Sequence, residues 1–144
     1  MTIFFDHSLP VLEDASRHHK ISHLVSFSEE LPDHYASHLR NAADRFPWLS
    51  LDLRTPKNRK GTSLDSFARE TLSEGDIFAE FRLDDDDLLA STYFDALGEY
   101  VAAPFVGSYV SLGLGIQAFF DGSNFREPRI CLLYTSDAAD EGLG

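Results

Sequence analysis

Residues 76–87 read DIFAEFRLDDDD, and the fold turns on how this stretch is read. Ile77, Ala79, Phe81 and Leu83 alternate with more polar neighbours, the period-2 pattern of a strand with one buried face. Four aspartates then end the pattern. Beyond them Leu89, Tyr93, Leu97, Tyr100 and Val101 recur at helical spacing and predict a helix with that side buried. A hydrophobic strand that stops at a polar run and hands over to a helix is the repeating unit of an α/β sheet.

The same alternation of periods runs upstream. Residues 48–53 predict a strand with Leu49, Leu51 and Leu53 on one face, and residues 21–27 predict another with Ile21, His23, Val25 and Phe27 together. Between them Pro32 opens a helix, a position where its missing N–H costs little, with Tyr35, Leu39, Ala42, Ala43 and Phe46 as the apolar stripe. Phe46 and Trp48 read as core. Residues 4–17 predict a short helix carrying Phe5, Leu9, Leu12 and Ser16, interrupted by Pro10. Ser63 caps a further helix with the stripe Leu64, Phe67, Ala68, Thr71 and Leu72, and Gly75 ends it. After Pro104 the character changes: residues 109–112 and 116–120 read as two strands joined through Gly113 and Gly115. The expected class is therefore α/β, a Rossmann-like, mostly parallel sheet flanked by helices, with extra strands after residue 104.

Composition narrows the function. The chain has 144 residues and a formal net charge of −12. That balance argues against a nucleic-acid binder, which needs basic surface to displace counterions, and against a polybasic membrane anchor. No apolar run approaches the roughly 20 residues of a membrane span, and no leader pattern is present. The expected location is the cytoplasm, including the vicinity of a membrane the chain does not enter.

In open α/β sheets ligands bind beyond the carboxyl ends of the strands. Two charged segments follow such ends. One is a basic loop after Leu53, where Arg54, Lys57, Arg59 and Lys60 place four of the chain's twelve basic residues within seven positions. The other is the run Asp84, Asp85, Asp86 and Asp87; the strand-end rule puts both on one rim. Adjacent carboxylates repel by roughly 1 kcal/mol per close pair even in water-like dielectric, and a hard cation such as Mg²⁺ or Mn²⁺ relieves that. Alternate side chains share a face, so Asp84 and Asp86 converge on one ligand while Asp85 points elsewhere, and Asp87 stands where it can cap the next helix. Glu80 and Arg82 share the strand's polar side, as an ion pair or with Arg82 facing a ligand. The histidines give no comparable signal: His18, His19 and His23 lack a second cluster, and His34 with His38 lacks a third ligand. Gly113 and Gly115 lack the strand–helix context of a dinucleotide loop.

The run Arg82-Leu83-Asp84-Asp85-Asp86-Asp87 resembles the D-x-D signature of GT-A-type glycosyltransferases, and most closely the rhamnosyltransferase family of bacteria. Leu9-Pro10, residues 23–27 and the following Ser28-Glu29-Glu30-Leu31-Pro32 resemble that family's first helix, second strand and adjoining loop. The likeness spans roughly residues 4–130. It implies transfer of a sugar from a nucleotide-diphosphate-sugar donor to a hydroxyl of a glycan or glycolipid. It implies donor contacts at Arg82, Asp84 and Asp85, and a Mn²⁺ or Mg²⁺ ion held by Asp84 and Asp86. It also implies a first strand before Met1 and a catalytic base after Ile130, which leaves the catalytic residue unknown and the piece inactive by itself. The alternative is a non-catalytic α/β module that binds a divalent cation or a partner through its acidic rim.

Residues 131–141 read CLLYTSDAADE and resemble a translated transposase adapter used in sequencing libraries. On that reading residues 1–130 are a partial glycosyltransferase domain and residues 131–144 an artefactual tail. The only cysteine, Cys131, then falls in the tail, and cysteine arithmetic is silent.

Overall fold

The computed structural model describes residues 3–132. The chain divides into two units, residues 1–99 and residues 100–144.

The first unit is built around one β-α-β crossover. β1 (His23–Ser28) and β2 (Leu49–Arg54) pair in parallel, in step from His23↔Leu49 to Ser28↔Arg54. Parallel neighbours need a crossover, and α2 (Asp33–Arg45) supplies it. Pro32 is the N-cap of α2, and its carbonyl accepts the amides of Tyr35 and Ala36. At the other end Phe46 turns extended, as a residue before proline must, and Pro47 stops the helix. The buried stripe is Ala36, Leu39, Ala42 and Phe46, with Leu39 fully enclosed.

Ahead of the crossover, a π-helical turn at Phe4–Ser8, closed by the Leu9 amide on the Phe4 carbonyl, runs into α1 (Leu9–Ala15), with Pro10 at the junction of the two. Phe4 and Leu9 join Leu39, Ala42, Phe46 and Leu49 in one cluster, while Leu12 and Ala15 form a second with Phe94. Trp48 packs against both. The first unit is thus mixed α/β, a parallel two-stranded sheet flanked by helices.

α3 (Leu64–Thr71) starts where expected, with Ser63 Oγ accepting the Ser66 amide at 3.1 Å. None of its residues is buried, and Leu64 is exposed. Gly75, at φ +88°, makes the turn after it.

The expected third strand over residues 76–83 does not form. The segment has neither helical nor strand structure and no ladder partner among the described residues. Phe81 and Leu83 pack on the Leu12–Phe94 cluster, whereas Ile77 and Phe78 stay exposed. Alternation marks a segment with one apolar face; a strand also needs a neighbour to bond, and pattern alone does not provide one. The long helix expected next is also shorter. α4 (Tyr93–Gly98) has six residues and buries Phe94, not a stripe through Val101.

In the second unit the strands differ from expectation. β3 (Leu114–Phe120) and β4 (Phe125–Leu132) form an antiparallel hairpin, with an irregularity between Gln117 and Phe119. Residues 109–112 are not a strand, and Tyr109 is fully exposed. The turn-former is Asp121, whose Oδ1 accepts the amides of Ser123 and Asn124, with Gly122 at φ +95°. Gly113 precedes β3 and Gly115 lies inside it, so neither joins the strands. Cys131 and Leu132, the first two residues of the adapter-like stretch, continue β4 opposite Gly115 and Leu114. The rest of that stretch, from residue 133, lies outside the described residues.

Candidate functional site

The basic loop leaves the carboxyl end of β2, where the strand-end rule places a ligand. Its first residue, Arg54, is turned inward. Nη2 donates to Ser26 Oγ at 2.9 Å and Nη1 to the Arg59 carbonyl at 3.0 Å. Nε lies 2.7 Å from Asp52 Oδ2, although its N–H is not aligned on that oxygen. Lys57, Arg59 and Lys60 are exposed. Beside the loop lies an open cleft of about 250 Å³, lined by Ser28, Glu29, Glu30, Arg54, Thr55 and Arg59 among others.

Beneath the loop is Asp52, 5% exposed, which sequence reasoning passed over. Oδ1 accepts the backbone N–H and the hydroxyl of Thr62, both at 3.0 Å, and Oδ2 accepts Ser26 Oγ at 3.0 Å. Burial pushes its pKa up, but the Thr62 amide, the Ser26 and Thr62 hydroxyls and the Arg54 charge outweigh burial and hold it below the ordinary 3.8. A signal was present: a strand reading Leu-Asp-Leu-Arg, followed by a loop that returns through Gly61-Thr62. The alternation had assigned Leu53 inward, yet Leu53 is 47% exposed and Asp52 is enclosed.

The acidic run sits differently. It forms a tight turn in which the Asp87 amide donates to the Asp84 carbonyl at 3.1 Å. All four aspartates are exposed. Arg82 Nε donates to Asp84 Oδ1 at 2.9 Å, so the ion pair on this strip joins Arg82 to Asp84 and not to Glu80. Asp87 does not cap the next helix, which starts at Tyr93; its carbonyl instead accepts Ser8 Oγ at 2.9 Å from a side chain that is 2% exposed. Because residues 76–83 are not a strand of the β1–β2 sheet, the strand-end rule places only the basic loop on that sheet's rim.

Among the described residues no group of three or more His, Cys, Asp or Glu side chains is gathered to hold a metal. A pair is a different matter. Mg²⁺ sites commonly use one or two carboxylates and complete the shell with water and substrate phosphates. The hard oxygen donors of Asp84 and Asp86 fit that chemistry, with one Asp84 oxygen engaged by Arg82.

The model of the family described as putative rhamnosyl transferase matches residues 2–104, which includes the β-α-β crossover, the basic loop and the acidic turn. The chain belongs to that family. Membership places it among the glycosyltransferases, enzymes that take a sugar donor and an acceptor. No curated protein and no solved structure matches it. No helix among the described residues is long and apolar enough to cross a membrane.

Of the residues the sequence singled out, Arg82 and Asp84 are in direct contact, and Asp84 and Asp87 are joined through the backbone of the turn. Arg54 is drawn away from Lys57 and Lys60 into a pair with Asp52.

Proposed function

We propose that the chain carries the donor side of a GT-A-type glycosyltransferase with a Rossmann-like core. The observation that carries this reading is the family match across residues 2–104, inside which the D-x-D run stands on an exposed turn. The donor is a nucleotide-diphosphate sugar, and the family's description favours a rhamnosyl group. The acceptor is a hydroxyl of a glycan or glycolipid. In the transfer, the acceptor oxygen bonds to the anomeric carbon as the bond from that carbon to the diphosphate oxygen breaks. The hydroxyl proton passes to a base, and the nucleoside diphosphate leaves.

In this reading Asp84 and Asp85 contact the donor, with Arg82 beside them. Asp84 and Asp86 hold Mn²⁺ or Mg²⁺, which when bound neutralises charge on the leaving diphosphate. The protein's part is to present two carboxylates on a turn whose shape the Asp84–Asp87 backbone bond and the Ser8–Asp87 bond fix. Of the basic loop, Lys57, Arg59 and Lys60 are free to meet the donor, since Arg54 is committed to Asp52 and Ser26.

Mn²⁺ titration followed by paramagnetic broadening of backbone amides tests the metal assignment. The expected result is selective broadening at residues 84–87, lost in Asp86→Asn with the spectrum otherwise preserved. Equal broadening in that variant would remove Asp86 from the ligand set.

A further inference from the structure

A carboxylate inside a strand is costly unless its oxygens are hydrogen-bonded and its charge is met. Asp52 meets that condition by drawing on three separate stretches of chain. Ser26 comes from β1, where it stands opposite Asp52 in the ladder. Arg54 comes from β2 itself. Thr62 comes from the far end of the basic loop, ten residues on, and donates through both its amide and its hydroxyl.

The loop is closed over this pair tightly. Gly61 adopts φ +60°, in the left-handed region that favours glycine. A Cβ there would collide with Asp52 Oδ2 and with the Arg54 guanidinium. Asn58 Oδ1 accepts the Gly61 amide at 3.1 Å, and the Asn58 amide donates to the Thr55 carbonyl, so the loop carries its own internal turn. Arg54 bonds the Arg59 carbonyl from inside. The loop is therefore gripped at its start, near its tip and at its end by groups that converge on one carboxylate.

We infer that Asp52 is a positioning residue: through Arg54 and Thr62 its carboxylate holds residues 55–61 against the ends of β1 and β2 and fixes the Arg54 guanidinium at the wall of the cleft. The closed loop then presents Lys57, Arg59 and Lys60 to a phosphate-bearing ligand. That consequence rests on the donor-side reading given above; the latch itself does not.

Three measurements on the whole chain separate the two. The Thr62 amide donates directly to Asp52, so its chemical shift reports that carboxyl's charge. It is expected to titrate with a midpoint below the ordinary aspartate value, and the step is expected to vanish in Asp52→Asn. Tryptic cleavage after Lys57, Arg59 and Lys60 reports loop opening. Asp52→Asn and Gly61→Ala are each expected to raise it by on the order of tenfold, as for a segment that loses its local closure. Gly61→Ala alters no charge, so it decides the matter if Asp52→Asn does not fold. Arg54→Lys keeps the charge without the planar fork and is expected to restore closure only in part. A Thr62 amide that titrates at or above the ordinary aspartate value, or wild-type cleavage rates in both variants, overturns the latch. Inorganic pyrophosphate with Mg²⁺ then probes the consequence: weaker binding in the opened variants supports it. Pyrophosphate that fails to bind the wild-type chain sinks the donor-side reading and leaves the loop result standing.

Discussion

The β1–α2–β2 crossover and the strip from residue 76 to residue 87 look alike as sequence and behave differently as structure. Each has alternating apolar residues that end in charge. The crossover turns the pattern into a ladder, a helix stripe and a buried cluster. The strip has two anchoring side chains in Phe81 and Leu83 and an exposed acidic turn. The difference lies in neighbours. β1 and β2 are brought together by a helix of thirteen residues that covers them, while the strip has no ladder neighbour among the described residues. Stability in the first region comes from packing, and the second carries solvated carboxylates on an exposed turn.

The sharpest contrast is in truncation. Leu39 is fully buried on the inner face of α2, so Leu39→Ala removes its contacts and leaves a cavity, a cost of about 2–5 kcal/mol. Ile77 lies on the strip and is 42% exposed. Ile77→Ala is expected to cost under about 1 kcal/mol, because little apolar area returns to water. Urea unfolding of the first unit measures both. Equal losses would mean that the strip is packed as firmly as the crossover and would erase the comparison.

How much of this was legible follows the same line. Helix positions depend on neighbours three and four residues away, so α1, α2 and the Ser63 cap could be read from the chain. β1 and β2 were legible because the crossover between them is short. The missing ladder at residues 76–83 was not legible, since strand pairing is decided by residues far off in sequence. The acidic turn was visible as chemistry, but its anchor was not: nothing in the order of residues says that Ser8 reaches the Asp87 carbonyl, 79 positions away. Asp52 was missed because alternation puts a strand's polar face in solvent, and here a loop folds over that face and dries it. The hairpin was misplaced for want of weight on Asp121-Gly122, the turn signal that the strand pattern at residues 109–112 outbid.

His23 ties the two regions together and offers a smaller effect. Its ring stacks on Phe4 at 6.3 Å from the crossover side and on Phe81 at 6.2 Å from the strip. Burial lowers its pKa from 6.5. A base with a lowered folded value binds protons more readily when unfolded. Its contribution to stability is therefore complete above pH 6.5 and is lost as pH falls from 6.5 through the lowered folded value. His23→Phe keeps the ring stack and removes the titration. The wild-type Tm is expected to drop by a few degrees more than the variant's across that window. Parallel Tm curves for the two proteins would show that the strip does not shield this histidine.

The smallest effect belongs to Arg82, and it tests whether the strip's charges serve the fold at all. The Arg82–Asp84 pair is solvated, with side chains 87% and 52% exposed. Exposed pairs contribute about 0–1 kcal/mol, because water screens them and ordering two side chains costs entropy. Arg82→Gln is therefore expected to leave the unfolding midpoint nearly unchanged. Its consequence for ligands is different in kind. In the wild type the guanidinium occupies Asp84 Oδ1 and brings a positive charge beside the carboxylates. Removing it frees that oxygen and lowers the repulsion felt by an arriving cation, so Mn²⁺ alone is expected to bind the variant slightly more tightly. A nucleoside diphosphate added with Mn²⁺ is expected to bind it less tightly, since the anion loses a donor. These opposite signs are what a metal-and-donor turn requires. A variant that loses stability by as much as Leu39→Ala, or that moves both affinities the same way, would make Arg82 a structural residue and the acidic strip a second packed region.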